Sequence, residues 1–179
     1  MFEAIMIVVL AIAALLWVGK KTKVVAQASE RPKIHVGGFY SGTAFVTDGD
    51  NITMGGESFR LWGLDAPEWN QTERLPGGKI MWSGREAKAA LEEMVQGKRV
   101  TVEIKDLDHY GRWIARVYVG DLDINRLMVA NGYAMAYRSF TRIYVREEQS
   151  AKRERLGMWR ALDVPIKPWA FRRAGGHLV

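Results

Sequence analysis

Apolar and polar positions divide the chain into stretches of different period. Residues 4–19, AIMIVVLAIAALLWVG, carry no charge and then meet Lys20, Lys21 and Lys23. At about 1.5 Å per residue this run is close to the shortest helix that crosses a bilayer, and it lacks the polar face of a core helix. Trp17 falls at its end, where an indole suits the headgroup layer. The pattern predicts an N-terminal hydrophobic helix over residues 1–19 that anchors the chain in a membrane as a single-pass segment. The positive-inside tendency places the lysines, and the domain beyond them, in the cytoplasm. The alternative is export: Ala26-Gln27-Ala28 has the small-x-small form that a signal peptidase reads, and cleavage after Ala28 gives a secreted or periplasmic protein.

Residues 20–38, with their lysines, Pro32 and Gly37-Gly38, read as a basic tether. Beyond Phe39 the period shortens to two. Residues 43–46 lead into the turn signal Asp48-Gly49-Asp50, residues 51–54 run to Gly55-Gly56, and residues 58–64 make a third strand. Val100, Val102 and Ile104 alternate with polar neighbours in a fourth, and Trp113, Ala115, Val117 and Val119 do so in a fifth. Helices come between and after. Ser83 and Glu86 have capping-box spacing ahead of Ala87, Ala90, Leu91, Met94 and Val95, and Gly97 stops that helix. Asp123 caps a short second helix with Ile124, Leu127 and Met128 inward, and Gly132 ends it. Asn125 there is expected to satisfy buried backbone groups. A third, charged helix covers residues 144–156, with Glu148 and Lys152 spaced for a surface pair. Together these elements predict an α+β protein: a five-stranded OB-fold barrel with three packed helices over residues 39–160, followed by a C-terminal tail, 161–179.

Composition narrows the classes. Cysteine is absent from the 179 residues, which excludes a disulfide framework, a zinc finger and a thiol nucleophile. His35, His109 and His177 are too scattered for a paired-histidine zinc helix. Lys and Arg number 26 against 20 Asp and Glu, a charge of +6 that favours polyanions or anionic lipid.

Three polar clusters gather at predicted turns. Asp48-Gly49-Asp50 alone is an ordinary hairpin turn, and Asp106-Leu107-Asp108 and Asp121-Leu122-Asp123 repeat its form. In Arg60-Leu61-Trp62-Gly63-Leu64-Asp65-Ala66-Pro67-Glu68 an apolar strand carries an arginine, ends at an aspartate and is broken by proline, so Glu68 projects from a turn. Asp108-His109-Tyr110-Gly111-Arg112 leads into the fifth strand. Such a set suits metal-assisted phosphodiester hydrolysis. Two carboxylates at strand ends hold one hard cation through oxygen. A third carboxylate accepts a proton from an attacking water. Two guanidinium forks bind phosphate oxygens and stabilise the extra charge of the five-coordinate state. Each arginine taken alone is an ordinary surface charge; the five positions together point to a site.

In the order and spacing of residues 45–68, 108–112 and 132–159, the chain resembles the staphylococcal nuclease (thermonuclease) family. RLWGLDAPE and DHYGR carry the resemblance, and the tail PWAFRR is similar to tails of bacterial nuclease-like members. It implies an OB barrel with three helices and a calcium-dependent endonuclease that cuts DNA and RNA and leaves 3′-phosphate ends. It further implies Asp50, Asp65 and the main-chain carbonyl of Ala66 as calcium ligands, Glu68 as the general base or water-orienting residue, and Arg60 and Arg112 on the scissile phosphate. Asp48 fits an acid behind the metal ligands and Tyr110 a ring packing on the nucleotide. His109, at a substrate-contact position, stands where lysine is common, and Asn51 stands where the family has threonine. Residues 69–82 form a loop that does not align with the family pattern, and Asn70-Gln71-Thr72 within it has the form of a glycosylation sequon. The implied partners are nucleic acid as substrate and a membrane through residues 4–19, with the chain otherwise a monomer. The alternative is a non-cleaving nucleic-acid-binding OB module with a vestigial site; such relatives lose the glutamate and arginines, which Glu68, Arg60 and Arg112 retain here.

Overall fold

A computed structural model describes residues 33–161 and 163–176. The hydrophobic helix expected over 1–19, the Ala28 cleavage site and most of the tether lie outside the described residues. Among the described residues no helix is long and apolar enough to cross a membrane.

The core is a mixed sheet. Its strands are β1 (Phe39–Thr43), β2 (Phe45–Asp48), β3 (Asn51–Met54), β4 (Glu57–Leu61), β8 (Arg99–Leu107) and β9 (Trp113–Val119), in the order β1-β8-β9-β4-β3-β2. Short β10 (Leu122–Asp123) pairs with β9. The order begins and ends on β1 and β2, which only Ala44 separates, and the Ala44 N–H donates to the Lys98 carbonyl at 3.0 Å. The two sheet edges are therefore halves of one bent strand, the connectivity that an OB-type barrel needs. The expected alternation holds where it was clearest: Val100, Val102 and Ile104 of β8 are buried and Arg99, Thr101 and Glu103 are not. In β9 the alternation fails at Ile114 and Ala115, both buried. A register shift between Ile104 and Asp106 of the facing β8 marks this place.

Helix α1 (Ser83–Val95) lies against β2, and α2 (Ile124–Ala130) and α3 (Val145–Arg153) pack on each other. Ile52, Phe59, Leu61, Leu91, Val95, Ile104 and Met128 are almost wholly buried between sheet and helices. Each such side chain contributes about 1.5–3 kcal/mol relative to exposure. Asn125 acts as expected: it accepts from the Val117 N–H and donates to the Trp62 and Ala115 carbonyls. The Asp123 cap also holds, its carboxylate accepting from the Arg126 N–H at 3.0 Å.

Four expectations are corrected. The strand expected over 58–64 ends at Leu61, and β5 (Leu64–Asp65) pairs instead with β11 (Met135–Ala136). Gly63 turns the chain at φ 80°, where a Cβ would lie 2.8 Å from Thr141 Cγ2. Ser83 is not a cap: Trp82 is the flanking residue, and the buried Ser83 hydroxyl donates to the Gln71 carbonyl. The third helix is shorter than residues 144–156, because Tyr144 is buried as its flank and Arg155 takes a positive φ. Glu148 and Lys152 pair, but not at the surface, since Glu148 is 1% exposed and Arg138 also donates to it. A fourth helix, α4 (Pro168–Arg173), occupies the tail.

Residues 69–82 fold back through β6 (Glu73–Arg74) and β7 (Ile80–Met81). Burial pushes the Glu73 carboxyl up from 4.5 to about 7. Between those two pH values the native chain keeps a proton that the unfolded chain has lost, so stability falls as pH climbs through this window and is level above it. Glu73→Gln removes that loss. It should stabilise the protein by about 1–3 kcal/mol at pH 8 and by nothing comparable at pH 4, read from urea unfolding at each pH. The same gain at both would show that ionisation of Glu73 is not the cause.

Candidate active site

Every residue expected at the site lines one cleft of about 840 Å³: Asp48, Asp50, Arg60, Asp65, Ala66, Glu68, His109, Tyr110 and Arg112. The fold delivers them from three turns. In the β2–β3 turn the Asp48 carboxylate accepts from the Gly49 N–H, and the Asp50 carbonyl accepts from the Leu61 N–H, tying the turn to β4. The Asp50 carboxylate points inward, 6% exposed, 3.4 Å from the Ala66 N–H. Burial pushes its carboxyl up to about 6, against the pull of Arg60. β5 ends on Asp65, which is 1% exposed, and Pro67 then carries the chain out of the sheet to Glu68.

The turn bearing Glu68 is locked through its backbone. The Gln71 N–H donates to the Glu68 carbonyl at 2.8 Å, and the Glu68 N–H donates to Gln71 Oε1 at 3.3 Å. Helix α1 begins so close that a Cβ on Gly84 would lie 1.7 Å from the Glu68 carbonyl oxygen, so only glycine fits there. On the opposite wall Asp108 builds the Arg112 turn. One of its oxygens accepts from the Tyr110 and Arg112 N–H groups, the other from the Arg112 guanidinium at 2.8 Å. Burial opposes ionisation of Asp108, but these donors outweigh it and hold the carboxyl below the usual range. β4 runs parallel to β9 with Phe59 level with Trp113, which sets Arg60 beside the start of β9, where Arg112 stands.

The charged groups meet in pairs. Arg60 Nη2 lies 2.6 Å from Asp50 Oδ2 and 2.5 Å from Asp65 Oδ1. Arg172 of α4 places Nη1 2.5 Å from Glu68 Oε1 and Nη2 2.8 Å from Asp65 Oδ2. Arg172 belongs to the tail PWAFRR that the resemblance included, but it was given no role at the site, and it lies sixty residues beyond Arg112. Tyr110, 75% exposed, lies against His109 with the two rings tilted by 41°, and the Arg112 guanidinium is 5.4 Å from its ring. Asn51 donates to Thr47 and Ser58, which occupies its amide on the neighbouring strands.

The donor set fits one hard cation. The Asp50 and Asp65 carboxylates converge on a single cationic nitrogen of Arg60, so the space between them already matches one positive atom. Among the described residues no group of three or more acidic or histidine side chains stands ready as a metal cage. A cation here would take two carboxylates and complete its shell with neutral oxygens, as calcium does.

Residues 58–161 match the family described as staphylococcal nuclease homologue. The chain is 34% identical over 116 residues to a probable staphylococcal-like nuclease of Oryza sativa subsp. japonica, covering 64% of this chain and 28% of that protein. It thus spans less than a third of that plant relative. It is 33% identical over 135 residues to an uncharacterized endonuclease of Haemophilus influenzae, 72% of this chain and 70% of the relative. With an uncharacterized endonuclease of Escherichia coli O157:H7 it shares 31% over 134 residues, 71% and 80%.

Proposed function

We propose, from the premise that this chain belongs to the staphylococcal nuclease homologue family, that it is a calcium-dependent endonuclease hydrolysing phosphodiester bonds of DNA and RNA. One observation carries the reading: Asp50, Asp65, Glu68, Arg60 and Arg112 line a single cleft. Glu68, on a turn at the cleft wall and 29% exposed, takes the proton of a water that attacks phosphorus. Arg112, braced by Asp108, and Arg60 bind the equatorial phosphate oxygens and stabilise the charge that builds on them. The P–O5′ bond breaks, the leaving oxygen is protonated, and the phosphate stays on the 3′ side. Asp50, Asp65 and the Ala66 carbonyl would hold calcium, which supplies Lewis-acid stabilisation of the phosphate when bound. Asp48 stands behind these ligands, and Tyr110 and His109 offer the strand a ring surface at the rim. The ring of strands, with β1 and β2 counted as one, supports a five-stranded OB barrel as the scaffold.

The full chain should convert 5′-labelled single- and double-stranded oligonucleotides, with calcium, into fragments whose gel mobility shifts after phosphatase treatment, as 3′-phosphate ends require. Fragments unaffected by phosphatase would mean that another bond is cut. Retention of the probe without cleavage would favour the binding module.

A further inference from the structure

Five carboxylates face three guanidiniums along the cleft, and the third guanidinium belongs to the C-terminal helix. The docking of α4 does not depend on it. Pro168 and Phe171 are buried, Gln71 Nε2 donates to the Ile166 carbonyl at 2.7 Å, and Asn70 Nδ2 donates to the Gly176 carbonyl at 3.2 Å. Trp169 adds a ring contact to Tyr137 at 5.5 Å. With the helix fixed by these groups, Arg172 extends over the cleft, its side chain 41% exposed, while spanning Glu68 and Asp65.

We propose that Arg172 is a third phosphate-binding arginine, a catalytic residue delivered by the tail helix, which rests on Glu68 and Asp65 until a phosphate of the bound strand takes it. The proposal builds on the nuclease reading. The pair with Glu68 is partly exposed and worth little, and the buried Asp65 keeps Arg60 as a positive partner when Arg172 leaves, so Arg172 can exchange two carboxylates for two phosphate oxygens while keeping a forked, charge-assisted contact. Charge gives the reason for a third arginine. A doubly charged cation brings the lining to neutrality when Arg172 is present and leaves it net negative when it is absent, a poor receptor for a phosphodiester. The exchange also releases the Glu68 carboxylate as the phosphate arrives, which frees its lone pairs for the attacking water.

The test compares the full chain with Arg172→Gln and Arg172→Lys. With calcium and a single-stranded oligodeoxynucleotide, Arg172→Gln should lower kcat/KM by about ten- to a hundredfold. In excess chelator, fluorescence anisotropy with the same labelled oligonucleotide should show affinity about tenfold weaker and a salt slope smaller by about one. The melting temperature should hold, and Arg172→Lys should restore part of the affinity as a point charge without the fork. Three results would overturn the proposal: Arg172→Gln as fast as or faster than the wild type, which would make Arg172 a restraint; a rate loss with affinity and salt slope unchanged; or a melting temperature that falls equally in both variants, which would make it structural. If the wild type fails to cleave, the nuclease reading fails, and the affinities and slopes still decide whether Arg172 meets phosphate.

Discussion

Glu68→Gln is expected to slow cleavage by about two to four orders of magnitude while the fold stands. Glutamine keeps the shape of the side chain and loses the ability to take a proton, so the substitution isolates that one property. The turn does not rely on the carboxylate: it is fixed by the Gln71 N–H on the Glu68 carbonyl, by the Glu68 N–H on Gln71, and by the contact with Gly84. The ion pair lost to Arg172 is partly exposed and worth under about 1 kcal/mol. Oligonucleotide affinity should stay level or rise slightly, since one negative charge leaves the cleft. Steady-state kinetics beside a melting curve check this. A loss of less than tenfold, or one that tracks a fall in melting temperature, would remove Glu68 from the role of base.

What could be read in the chain alone divides by the range of the interaction involved. Alternation along residues 100–105, the Asp123 cap and the Gly97 stop are local, and each appears in the structure where the pattern put it. The residues that converge on the cleft were also legible, because turns and strand ends present them within three short polar clusters. Long-range packing overrode local signals elsewhere. Ser83 has the spacing of a cap, but the returning loop presents the Gln71 carbonyl and the hydroxyl is spent there. Glu148 has the spacing of a surface pair, but Arg138, in the segment leading to α3, approaches it and the carboxylate is buried. The tail motif PWAFRR was visible in the sequence but the place of its Arg172 was not: its position beside Glu68 depends on a tail that Asn70 and Gln71 hold through two backbone carbonyls. That dependence also gives the unaligned loop a structural role, since the same loop braces Glu68 and anchors the helix carrying Arg172.

Withdrawal of calcium is the other large effect, with an expected rate loss of roughly a thousandfold or more. Two losses combine. The Lewis acid goes, which is worth several kcal/mol of transition-state stabilisation, about 1.4 kcal/mol per factor of ten. Without a cation, Asp50 and Asp65 also keep Arg60 between them at 2.5–2.6 Å, where it is held away from a phosphate. Two carboxylates 6% and 1% exposed are costly to leave ionised without a positive partner, a need that Arg60 meets in this structure and that calcium would meet in the proposed enzyme. The decisive measurement is the ratio of initial cleavage rates of the full chain on one single-stranded oligodeoxynucleotide, saturating calcium against excess chelator. The account predicts a ratio of about a thousand or more, recovered when calcium is returned in excess over the chelator. Equal rates in the two buffers would contradict it.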